Sequence, residues 1–214
     1  QPQARWVWWI RDVTEATQVQ QLRLLAEIGR ARGKSTSAEE LAERLVDAIL
    51  QLMGADITLK NERVVGGEPV ADIRVCHAPL RGIEIPLDQV PLAIDEFPAL
   101  FIAAACARGR TVLHGAEELR VKESDRIAAM AEGLTTLGIA NEVLDDGIII
   151  EGGTPGGGVI LTHHDHRIAM SFAIAALRAE GEIRILDCDH VATSFPGFDA
   201  LARGLGLQIS TLAD

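Results

Sequence analysis

The sequence predicts an α/β fold of the α+β kind, built from one unit of about 70 residues that recurs two to three times. Three observations carry this expectation. Apolar-periodic helices end in glycine and pass at once into β-rich runs, at Leu52-Met53-Gly54-Ala55, Leu137-Gly138-Ile139 and Leu205-Gly206-Leu207. An Ala-rich phrase occurs twice: Phe101-Ile102-Ala103-Ala104-Ala105 leads through Gly109 to Thr111-Val112-Leu113, and Phe172-Ala173-Ile174-Ala175-Ala176 leads through Gly181 to Ile183-Arg184-Ile185-Leu186. No Pro/Ser-rich or single-sign charged linker divides residues 38–214, which read as one domain.

Residues 1–37 stand apart as an atypical amino-terminal segment. Trp6, Trp8 and Trp9 fall within four positions and precede a Gln/Arg/Leu-rich stretch expected to be helical at roughly 15–32. Gly33-Lys34-Ser35 echoes a phosphate loop, but Gly29 lies one residue too close for it and no strand precedes it, so Ser35 or Ser37 is read as the cap of the next helix. Further along, strands are expected at 57–59 and 73–76, and helices at 99–107, 127–137 and 168–177. A hairpin at 143–151 turns at Asp145-Asp146-Gly147. The glycine-rich 152–158 reads as a surface connection, because no helix starts directly after it. Both Ala-rich helices are expected in the core, since small side chains admit close backbone packing.

Composition narrows the function classes. Lys and Arg total 20 against 31 Asp and Glu, a net charge of −11, which disfavours nucleic acid and anionic membranes as partners. An anionic substrate then needs a local concentration of cations. Three cysteines, Cys76, Cys106 and Cys188, lack paired spacing and read as free thiols, with Cys106 as helix core. No apolar run approaches the ~20 residues of a membrane span, and Gln1–Trp9 lacks a signal-peptide layout, so a cytoplasmic location is expected.

Three segments set charge at the starts of these helices: Ile94-Asp95-Glu96-Phe97-Pro98, Leu119-Arg120-Val121-Lys122-Glu123-Ser124-Asp125-Arg126 and His163-His164-Asp165-His166-Arg167. In each an acidic residue stands where an N-cap belongs. Capping does not explain Arg126 and Arg167, because a cation in the first turn opposes the helix dipole. Cations and helix amino ends aimed at one place suit an anion. No metal is expected: consecutive His163, His164 and His166 point in different directions, and no second ligand cluster stands out. No Gly-x-Ser-x-Gly nucleophile elbow occurs.

These segments resemble the EPSP synthases, a family of enolpyruvyl transferases. LRVKESDRI at 119–127, DEFP at 95–98, DHRIAM at 165–170 and ATSFP at 192–196 fall in that family's order and at similar separations. The resemblance runs from about Ala38 to near the end and implies the family's carboxy-terminal half. It implies βαβαββ units, six in a whole enzyme, and for this chain one lobe of the inverse α/β barrel. It further implies transfer of the enolpyruvyl group of phosphoenolpyruvate to the 5-hydroxyl of shikimate 3-phosphate, without cofactor or metal. By the same resemblance Asp95 takes the hydroxyl proton and Glu123 handles protons at the methylene. Lys122 reaches the shikimate phosphate, Arg126 and Arg167 grip phosphoenolpyruvate, and His166 donates a hydrogen bond beside them. Thr193 stands where some members carry a lysine, as in the branch called class II. The family's amino-terminal half supplies further phosphate contacts, so a separate half or self-association is an expected partner. Two alternatives stay open, a UDP-N-acetylglucosamine enolpyruvyl transferase and a non-catalytic fragment.

Overall fold

The computed structural model describes residues 6–11, 48–65 and 68–213. The expected helix at 15–32 and the Gly33-Lys34-Ser35 echo lie outside these residues. In chain order the elements are β1 (Trp6–Arg11), β2 (Asp56–Val65), β3 (Glu68–Cys76), α1 (Phe97–Ala105), β4 (Arg110–Leu113), α2 (Arg126–Thr136), β5 (Asn141–Val143) and β6 (Ile148–Glu151). Then come β7 (Gly158–Leu161), α3 (His166–Ala175), β8 (Ile183–Leu186), α4 (Asp189–Ser194), α5 (Phe198–Gly204) and β9 (Gln208–Ala213).

Two helices, α1 and α3, form the inner layer. All nine residues of α1 are buried, as is every residue of α3 except His166. A helix apolar all round has no face to give to water, so it must be covered on every side. Here α1 packs on β6, α2 on β5 and β7, and α3 on β8, while the three helices also touch one another. The strands supply one face each: β6 and β8 alternate buried and less buried residues, the period of two expected of a sheet with one face on the core. Phe97 and Phe101 stack within α1 at 5.8 Å, and the Phe172 ring of α3 lies against Gly133 of α2.

Three sheets result among the described residues. One has the order β7-β8-β1-β9, with β7 and β8 parallel and β1 antiparallel to both its neighbours. The second is the β2–β3 hairpin, and the third has the order β4-β6-β5. Residues 6–11 thus lie inside the same sheet as β8 and β9. The three glycines read as helix stops, Gly54, Gly138 and Gly206, all have positive φ, at 100°, 79° and 96°.

Several expectations need correction. The helices start one or two residues earlier than read, because Pro98 is tolerated in a first turn and Asp125 and Asp165 cap directly before α2 and α3. Cys106 is the half-buried C-cap of α1, not its core. The hairpin strands are longer than the runs at 57–59 and 73–76, since backbone pairing continues past the apolar residues. Gly152–Gly158 is more than a surface connection: the Gly153 amide donates to Ala105 and the Gly156 amide to Leu137, covering carbonyls that α1 and α2 leave open. No described helix is long and apolar enough to cross a membrane.

Candidate active site

Two loops deliver the charged residues. Ahead of α2 a 3-10 turn covers Glu117–Val121, after which Lys122 is extended and Asp125 caps the helix, accepting from the Ala128 amide at 3.0 Å. Arg120 pins this loop: it donates to Asp125 at 2.9 Å and to the carbonyls of Leu144 and Asp145. Ahead of α3 the Asp165 amide closes a turn onto the Thr162 carbonyl at 2.9 Å. Its central residues His163 and His164 have φ of 51° and 60°, a conformation histidine enters more readily than most side chains. That turn drives Asp165 into the core.

At the start of α1 the capping expectation fails. Glu96 is the N-cap but makes no side-chain cap bond, because the chain arrives already wound as a 3-10 turn over Ile94–Glu96. A cap needs an extended backbone at that position. Asp95 and Glu96 instead turn to the cations of the neighbouring helices.

Arg126 is the hub. Only 1% of its side chain is exposed, yet each guanidinium nitrogen meets a carboxylate: Nε donates to Asp165 at 2.8 Å, Nη1 to Asp95 at 3.1 Å and Nη2 to Glu123 at 2.5 Å. Asp165, with no side-chain exposure, also accepts from the Ser124 hydroxyl at 3.1 Å and the Arg167 amide at 2.8 Å. Arg167 donates through Nη1 to Glu96 at 3.0 Å, while its buried Nε has no hydrogen-bond partner. Lys122 Nζ stands 3.4 Å from Asp95 and also pairs with Glu118. The first-turn arginines are therefore compensated by carboxylates, whose attraction at these distances exceeds the few tenths of a kcal/mol the dipole costs.

Electrostatics follow from this packing. Burial pushes the Asp95 carboxyl up, but Arg167, Lys122 and Arg126 together outweigh it and hold the group below its ordinary value. Asp165 is likewise pushed up by burial and held down by Arg126, the Arg167 amide and Ser124. The hydrogen bond to Glu118 raises Lys122. Burial lowers His166, joined by Arg167 and Arg126 against the pull of Asp165 and Glu123.

The six residues singled out from the sequence, Asp95, Lys122, Glu123, Arg126, His166 and Arg167, thus gather at one place. Glu96, Glu118, Ser124 and the bridging role of Asp165 escaped that reading. Two signals were available: Glu118 stands four residues before Lys122, the helical ion-pair spacing, and Glu96 adjoins Asp95. Among the described residues no group of three or more His, Cys, Asp or Glu could hold a metal ion.

A family model described as EPSP synthase (3-phosphoshikimate 1-carboxyvinyltransferase) matches residues 32–201. The chain belongs to the EPSP synthase family. A relative from Methylococcus capsulatus named 3-phosphoshikimate 1-carboxyvinyltransferase is 66% identical over 161 residues, 75% of this chain and 37% of its own length. One of the same name from Alkalilimnicola ehrlichii is 63% identical over 163 residues, 76% of this chain and 36% of its own. The chain therefore spans well under half the length of these EPSP synthase relatives. Among solved structures, an EPSP synthase from Acinetobacter baumannii superimposes with a TM-score of 0.73 at 56% identity, covering 78% of this chain and 39% of that one. The enolpyruvyl transferase NikO from Streptomyces tendae shares the fold, with a TM-score of 0.64 at 21% identity over 91% of this chain and 44% of its own.

Proposed function

We propose that this chain carries part of the active site for transfer of the enolpyruvyl group of phosphoenolpyruvate to the 5-hydroxyl of shikimate 3-phosphate, releasing phosphate. The observation that carries the reading is the convergence of Arg126 on the Asp95 and Glu123 carboxylates, with Arg167 held beside them by Glu96 and keeping a buried Nε without a hydrogen-bond partner. Relatives at 63% and 66% identity bear the corresponding name. Phosphoenolpyruvate offers a carboxylate and a phosphate, and guanidinium groups hydrogen-bond both well. Asp95 takes the proton of the attacking hydroxyl, and Glu123 gives one to the methylene carbon. The tetrahedral ketal so formed collapses with loss of phosphate and of the methyl proton. Lys122 holds the shikimate phosphate, and His166 donates beside Arg167. These two proton transfers require two carboxyls in different surroundings. Asp95 is held ionised by three cations, as a base must be, whereas Glu123 is half exposed and meets Arg126.

The test is phosphate release from phosphoenolpyruvate, with shikimate 3-phosphate or UDP-N-acetylglucosamine as acceptor. The chain is assayed alone and with the remaining part of a relative supplied separately. Release with the shikimate acceptor alone is the expected result; release with the sugar nucleotide, or none in either arrangement, overturns the reading.

A further inference from the structure

The short helix α4 has two sides with different surroundings. On one, His190 meets His164 of the turn ahead of α3, the rings edge to face with centroids 5.3 Å apart. Cys188, Ala192 and Phe195, spaced by four and three residues, share the other side. That side borders a cavity of about 410 Å³ formed with α5 and with Thr211 of β9, a volume within the ~300–1,000 Å³ of small-molecule sites. The chain bends between the two helices at Phe195, Pro196 and Gly197, the last with φ of 85°. The bend brings Phe195 and Phe198 together, edge to face at 5.7 Å, with Phe198 buried and Phe195 half-buried at the cavity wall.

The polar part of the lining has a sign. It holds two carboxylates, Asp189 and Asp199, and one guanidinium, Arg203. Arg203 is occupied: it donates through Nη2 to Asp199 at 2.5 Å and through Nη1 to the Ile209 carbonyl at 3.2 Å. Asp199 is thus neutralised within the wall, and Asp189 carries the excess negative charge. The Cys188 thiol donates to the Ile185 carbonyl at 3.3 Å and gives the cavity only a soft sulfur surface. An anion entering here meets Asp189 and a guanidinium already paired, whereas a cation finds a carboxylate and the negative face of an aromatic ring. The net charge of −11 favours the approach of cations in the same sense.

We propose that the α4–α5 cavity binds a small organic ammonium ion with an aromatic body, the ring against Phe195 and Phe198 and the ammonium group at Asp189. The site lies across α4 from the histidine pair, uses none of the residues assigned to enolpyruvyl transfer, and stands whether or not that reading does. The aromatic body contributes apolar contact with Val191 and the two rings, and Asp189 selects the charge.

Phenethylammonium is the probe, protonated at neutral pH as a lysine side chain is. Phenylethanol, of similar shape and without charge, is its control. Calorimetric titration of the full chain should give a Kd of about a millimolar or lower for the cation and at least about fivefold weaker binding of the alcohol. Asp189→Asn should weaken the cation roughly three- to tenfold and remove its advantage over the alcohol, while Asp189→Glu keeps that advantage. Phe195→Leu should weaken the cation roughly two- to fivefold. Titration with sulfate, an oxyanion suited to the arginines around Asp165, should be the same in the native chain and these variants, which keeps a general loss of fold from passing as a loss of the cavity. No binding of the cation, equal binding of the alcohol, or an affinity for the cation that either Asp189→Asn or Phe195→Leu leaves unchanged overturns the proposal.

Discussion

Arg126 enters the core almost fully buried, and an unpaired charge at that depth would cost several kcal/mol. Asp165 is the partner that makes this burial tolerable, and it also caps α3 through the Arg167 amide. Asp165→Ala should therefore lower unfolding stability by about 3–5 kcal/mol, read as a drop in the urea midpoint, because it strands a buried guanidinium. Asp165→Asn should recover part of that loss by keeping the cap; equal losses would mean that the charge pair, not the cap, carries the whole effect. His166 gives a pH dependence with a definite sign. Its folded-state proton affinity lies below the ordinary 6.5, so the unfolded chain binds a proton that the folded chain refuses. The contribution is fully present above 6.5 and is lost as pH falls from there through the lowered value. Denaturation of the unliganded chain should show stability declining over that window, and a flatter profile in His166→Gln; parallel profiles would refute it. Asp95 and Asp165, depressed below 3.8, add a second loss only in stronger acid.

At the scale of elements the packing of α2 on α3 sets the distance between the two arginine-bearing helix starts. A Cβ at Gly133 would stand 2.2 Å from the Phe172 ring, which is fully buried and has nowhere to move. Alanine is the better helix former by ~1 kcal/mol, yet overpacking costs ~1–3 kcal/mol, so Gly133→Ala should be destabilising. A thermal melt should show a lowered midpoint, together with weaker sulfate binding as Arg126 and Arg167 are pushed apart. A raised midpoint would mean that the ring yields. The sequence made the order of these elements legible because each helix-to-strand passage changes period and carries a glycine at the stop. It made the cationic residues legible because Arg126 and Arg167 contradict the dipole of their own helices. It did not reveal the start of α1, where a 3-10 turn replaces the capping geometry and frees Asp95 and Glu96. Nor did it reveal the carbonyl-covering role of the 152–158 loop, which depends on contacts distant in the chain.

At the scale of the whole molecule, β1 fills the gap between β8 and β9, pairing with three residues of one and six of the other. That sheet packs against α3 through β8. Under the proposed function the cluster supplies only part of the chemistry. The relatives named 3-phosphoshikimate 1-carboxyvinyltransferase are far longer, this chain matching 37% of the Methylococcus capsulatus protein, and the resemblance implies a site closed between two lobes. A single wall leaves the acceptor hydroxyl unaligned and the ketal exposed to water. Alignment of reacting groups is worth ~7–11 kcal/mol, which the proton transfers proposed for Asp95 and Glu123, worth ~10²–10⁴-fold, would not recover. These 214 residues assayed by themselves should therefore fold, bind the oxyanion and turn over at least about a thousandfold more slowly than a full-length relative. Adding the missing part of a relative in trans should restore phosphate release with saturable dependence on its concentration. Steady-state assay of protein purified free of host enzyme decides it. Turnover comparable to that of a full-length relative would show that one lobe aligns both substrates, and would refute the two-wall argument.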